Sequence, residues 1–60
     1  MTKLLRVYRV AELLDCSKSQ VYAMIQREEL AAVRLGKRGI RITQRSIEQY
    51  LEDKKVDPDE

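Results

Sequence analysis

The tightest constraint on this chain lies between Leu14 and Val21, where one apolar helical stripe gives way to another across Asp15-Cys16-Ser17-Lys18-Ser19-Gln20. Asp15 can take the left-handed conformation that ends a helix, though less readily than Gly. Ser17 and Gln20 match a capping box, in which each side chain accepts a hydrogen bond from the other residue's backbone N–H. Cys16 and Val21 stand at the N′ and N4 positions of a hydrophobic staple. One helix stops and a second starts within a few residues, so the spacing predicts two helices joined by a tight turn.

The flanking segments follow from their periodicity. Val7 to Leu14 reads as the first helix, with Val10, Leu13 and Leu14 at i, i+3, i+4 and Val7 one turn earlier. Ala11 extends this face and Glu12 faces water. Arg6 occupies the place where an N-cap hydroxyl is expected, and Leu4 and Leu5 either form a short strand or cover the core. The second helix is predicted to run to Glu28 or Glu29, with Val21, Met24 and Ile25 inward and Leu30 closing its exit. Its outward face then carries Lys18, Ser19, Tyr22, Ala23, Gln26 and Arg27.

From Ala32 to Ile42 the period becomes alternating. Val33 and Leu35 face one way with Arg34 opposite, and Ile40 and Ile42 face one way with Arg41 opposite. Gly36-Lys37-Arg38-Gly39 between them reads as the turn of a hairpin. Thr43 caps a third helix, with Ile42 and Ile47 as a second staple and Ile47, Tyr50 and Leu51 as its apolar face. Glu48, Glu52 and Asp53 make its outer side acidic, and Lys54 and Lys55 suit its C-terminal dipole. Residues 1–55 therefore read as one domain and 56–60 as a flexible acidic tail. The fold class expected is mainly α with a two-stranded β-hairpin wing, a winged helix-turn-helix.

Composition bounds the chemistry. Sixty residues form one small domain, which buries only about 60% of its unfolded surface. The aromatic residues are three tyrosines, so Leu, Ile and Val must supply the core. One cysteine and no histidine leave no disulfide within the monomer, no usual zinc site and no activated thiol, so neither a metal, a cofactor nor a catalytic residue is expected. Cys16 reads as a small apolar residue in the turn, and Tyr50 as core rather than a nucleophile. No apolar run approaches the roughly 20 residues that span a bilayer, and a cytoplasmic, nucleoid-associated location is expected. The overall net charge of +2 conceals an asymmetry: residues 1–45 carry ten Lys/Arg and four Asp/Glu, residues 46–60 two and six.

The stretches Val10-Ala11-Glu12-Leu13-Leu14, Ser17-Lys18-Ser19-Gln20-Val21-Tyr22, Glu29-Leu30 and Ala32-Val33-Arg34-Leu35-Gly36, with Ile47 and Leu51, follow one another in a distinctive order. The chain resembles the excisionase and MerR-like family of winged helix-turn-helix domains from Leu4 to about Leu51. The resemblance implies that the second helix enters the major groove while the wing touches backbone or minor groove. It also implies an architectural factor that binds cooperatively beside other copies, bends DNA and contacts an integrase or other recombinase, or else a small transcription regulator. MerR-like regulators normally append a dimerisation helix or sensor domain, which favours the architectural expectation. The chain departs from the pattern at Asp15, where Gly is usual, at Ala23, where many relatives place Arg, and at Arg6, which replaces a capping hydroxyl.

Residue chemistry agrees with a DNA surface. Lys18 suits guanine O6 and N7, and Gln20 suits adenine N6 and N7. Ser17, Ser19, Tyr22, Gln26 and Arg27 can add base or phosphate contacts, although Gln20 serves equally well as a cap. Arg34, Lys37, Arg38 and Arg41 form the wing's basic set, for phosphates or a narrow minor groove, with Arg34 and Arg41 expected on one hairpin face. Glu48, Glu52 and Asp53 are either a solvated face or a contact for a partner, which keeps open a different class of function, a protein-interaction module.

Overall fold

A computed structural model of the chain describes residues 3–37 and 39–56. Its elements are β1 (Leu4–Arg6), α1 (Val7–Leu14), α2 (Lys18–Gln26), β2 (Ala32–Arg34), β3 (Ile40–Thr43) and α3 (Gln44–Asp53). The expectations for Arg38 and for the tail at 57–60 lie outside the described residues.

The two helix junctions are built from local chemistry. Asp15 sits at φ 53, ψ 52. Its N–H donates to the Glu12 carbonyl at 3.2 Å and that of Cys16 to the Ala11 carbonyl at 2.9 Å, the paired bonds of a Schellman motif. The capping box at Ser17 forms in full, with both reciprocal bonds at 3.2 Å. At the far end of α2 the same exit recurs: Glu28 has φ 63, its N–H donates to the Ile25 carbonyl at 3.0 Å, and that of Glu29 to the Met24 carbonyl at 2.8 Å. The helix therefore stops at Gln26, short of the expected Glu28 or Glu29. The left-handed turn at Glu28 reverses the chain so that Leu30 enters the core.

The sheet is larger than the expected two-stranded wing. It has three antiparallel strands in the order β1-β3-β2. Leu5 pairs with Ile42, and Ile42 with Ala32, and residues opposite one another share a face. Because Ile42 is completely buried, this row is the inner face of the sheet. Short Leu4-Leu5-Arg6 becomes a strand because β3 offers it an edge; its own sequence could not hold it extended.

Val7, Val10, Ala11, Val21, Met24, Leu30, Ile42 and Ile47 form the core, with Leu5, Leu14, Cys16, Ile25, Ala32, Ile40 and Tyr50 packed against it. Two residues of the expected stripes are outside it: Leu13 is 59% exposed and Leu51 51% exposed. The buried face of α1 is Val7, Val10, Ala11 and Leu14, and Leu13 is turned roughly 100° away from its centre. Val33 and Leu35 are also exposed, since the inner face of β2 is the Ala32 side. Among the described residues no polar side chain is buried.

α3 begins at Thr43, whose Oγ1 accepts from the Ser46 N–H at 3.2 Å. Ser46 Oγ, with a single proton to give, has the Thr43 carbonyl at 2.8 Å and the Ala31 carbonyl at 3.4 Å as alternative acceptors. That pair ties the start of α3 to the segment leading into β2.

Candidate nucleic-acid interface

α2 presents two exposed sectors. Lys18, Ser19, Tyr22 and Gln26 are all exposed and recur at the three- and four-residue spacing that aligns side chains along one helix face. Gln20, Ala23 and Arg27 lie on the other side, lining a groove of about 500 Å³ with Leu13, Cys16, Met24, Tyr50 and Leu51. The expected α2 residues are thus divided between a face turned to solvent and a face turned to the groove.

The second group is occupied within the protein. Gln20 Oε1 accepts from the Ser17 N–H, so its side chain is committed to the cap. Ser17 Oγ accepts from the Gln20 N–H in return. Arg27 Nε pairs with Glu29 Oε2 at 3.3 Å. Lys18, Ser19, Tyr22 and Gln26 remain as the surface that α2 can lay against another molecule, and Tyr22 is 49% exposed.

The hairpin displays its cations on both faces. Leu35 donates to the Gly39 carbonyl at 3.0 Å and closes the turn. Gly36 at φ 55 and Gly39 at φ 105 take conformations that side chains disfavour. Lys37 projects from this exposed tip. Arg34 pairs with Ile40 and therefore shares the inner-face alternation, whereas Arg41 pairs with Val33 and lies on the outer face. Arg34 and Arg41 are not on one hairpin face, contrary to the sequence expectation. The alternation puts residues on the same side of a sheet only across a register pair, and register cannot be read from β2 and β3 separately.

Arg41 is half-buried, its Nη1 donating to the Ile40 carbonyl at 3.1 Å. Beside it on β1 stands Arg6, a cation missing from the sequence-based site. The signal was present, since Arg6 occupies a cap position it cannot serve; what was missing was the strand that brings it to Arg41.

The carboxylates of α3 are interleaved with amide donors and with one cation. Gln44 Nε2 donates to Glu48 Oε2 at 3.3 Å and Gln49 Nε2 to Asp53 Oδ1 at 2.9 Å. Arg45 is exposed on the same helix, three residues before Glu48 and seven before Glu52, so it interrupts their sector. Among the described residues there is no cluster of His, Cys, Asp and Glu able to hold a metal, and no helix is long and apolar enough to cross a membrane.

A turn-linked helix pair, an exposed second helix and a basic-tipped hairpin are the parts of a protein that grips a duplex from the groove and from its backbone. Comparison with curated proteins and with solved structures returned no match. The family model for the helix-turn-helix domain matches residues 4–55, nearly the whole chain. The chain belongs to the helix-turn-helix domain family and is a DNA-binding helix-turn-helix protein.

Proposed function

We propose that the protein is an excisionase-like architectural factor, which binds and bends attachment-site DNA and assists integrase-mediated excision. The observation that carries this reading is the uneven distribution of charge. Within α2 Lys18 is the one Lys or Arg, and Arg27 at its C-cap is paired with Glu29, while the sheet and wing carry Arg6, Arg34, Lys37 and Arg41. Ala23 reaches no base edge, and Gln20 is held in a cap. Contacts weighted toward the backbone suit a protein that selects DNA by its deformability more than by direct readout. In this reading Lys18, Ser19, Tyr22 and Gln26 line the major groove, and the wing grips flanking phosphates. The resemblance to excisionases supplies the recombinase partner and cooperative assembly on DNA.

Two measurements on duplex DNA test it. Binding to random sequence weakens with salt along a log–log slope of about −0.9 per phosphate neutralised. A duplex labelled at both ends shows bending by energy transfer as the protein is added. A flat salt response removes DNA binding altogether and leaves the interaction-module reading. Steep salt dependence on an unbent duplex, with tight preference for one sequence, favours a small MerR-like transcription regulator instead. An excision reaction with and without the protein then isolates the recombination role.

A further inference from the structure

We propose that Arg6 and Arg41 together form a clamp for one phosphate group of the DNA backbone, on the outer face of the sheet. The inference rests on the DNA-binding reading and adds to it a residue from outside the helix-turn-helix and the hairpin.

Arg6 and Arg41 are direct register partners on β1 and β3. Such partners hold their Cβ atoms about 4.5–5.5 Å apart on a common face. Like charges in this arrangement repel, so without a ligand the pair works against the sheet. No ion pair among the described residues relieves it. The two ion pairs among the described residues join Arg9 to Glu12 and Arg27 to Glu29, and neither involves this row. The third residue of the row is Val33, 41% exposed.

The chemistry of Arg6 sharpens the point. It stands at the N-cap of α1 and makes no side-chain cap hydrogen bond. A guanidinium has only donors and cannot accept from a helix N–H, whereas Ser or Thr would. The residue therefore gives up a cap and adds repulsion at the same place. Both costs make sense if a monoanionic oxygen cluster sits between the two guanidiniums. Phosphate fits, because planar forks donate in parallel pairs to its oxygens. The Arg41 contact with the Ile40 carbonyl uses one of the five N–H donors of the guanidinium and holds that side chain in place. A DNA duplex supplies that phosphate, since Arg41 lies on the strand that forms the wing.

The decisive variant is Arg6→Thr, because it separates structure from binding by sign. It removes the charge and restores a capping hydroxyl, so the thermal midpoint rises while DNA affinity falls. Because the phosphate is held only between both guanidiniums, losing either releases it: the salt slope on random duplex drops by about 0.9, which narrows the gap from wild type by roughly 3.5-fold between 50 and 200 mM salt. Arg6→Lys keeps most of the slope. Arg6→Gln loses it without gaining a cap, and carries the test should the threonine variant fold poorly. Arg6→Gln combined with Arg41→Gln loses less affinity than the two single losses multiplied, because both side chains share one phosphate. A wild-type protein with a steep slope and an Arg6→Thr variant with the same slope overturns the clamp and leaves DNA binding intact. Multiplicative losses overturn the shared phosphate. A wild-type protein with no salt dependence overturns both readings at once.

Discussion

The first two helices of this protein start in opposite ways. α2 is opened by its own sequence: Ser17 and Gln20 exchange hydrogen bonds across three residues and need nothing from the rest of the chain. α1 is opened by a distant one. Arg6 offers no cap, and the direction of the helix is set by β1, which pairs with β3 some 36 residues later in sequence. The contrast separates local from tertiary instruction within one small domain. It also explains why the uncapped position could be given a cation: with the strand fixing the backbone, the side chain was left available for another task.

The heaviest way to break this contrast is to remove what the two outer strands of the sheet share. Ile42 is wholly buried and pairs with Leu5 on one side and Ala32 on the other. Ile42→Ala is expected to cost about 2–5 kcal/mol. A domain of this size has a total of only about 3–9 kcal/mol, so the variant is largely unfolded at 37 °C by circular dichroism, and α1 is lost together with the sheet. Retention of α1 helicity after the sheet has melted would show that its start does not depend on β3. Next comes the cap itself. Ser17→Ala is expected to lower the stability from urea titration by about 1 kcal/mol, whereas Arg6→Ala changes it by less than about 0.5 kcal/mol. Equal losses at the two positions would erase the difference between the two starts.

The same division decides what could be read from the sequence. The α1–α2 junction, the second cap at Thr43 and the Gly-bounded hairpin tip are short-range signals, and each stands where its residues indicate. The third strand is not such a signal. Leu4-Leu5-Arg6 has too few residues to show a period, and its extended form comes from an edge supplied by β3. Apolar spacing places Leu13 and Leu51 inward, because it marks a helix without fixing the centre of its buried face. In the structure both flank one open groove. At the interface, the exposed sector of α2 was legible as Lys18, Ser19, Tyr22 and Gln26. The commitments of Gln20 to its cap and of Arg27 to Glu29 were not, nor was the pairing of Arg6 with Arg41. Those depend on rotamers and register, which composition and periodicity do not encode.

The finest distinction lies at the helix exits. Both α1 and α2 end in the left-handed region, at Asp15 with φ 53 and at Glu28 with φ 63, and neither uses glycine. Local hydrogen bonding lets Asp visit this conformation at small cost, while Glu has one more methylene and no such help. Glycine relieves the strain at either site but adds chain entropy to the unfolded state, roughly 0.5–1 kcal/mol in the opposite direction. Glu28→Gly is therefore expected to stabilise the domain by about 0.5–1 kcal/mol in a urea titration, and Asp15→Gly to change it by only a few tenths. The order matters more than either value. A larger gain at Asp15 than at Glu28 would mean that the first exit is the strained one. The clean stop between α1 and α2 would then owe less to Asp15 than to the capping box that follows it.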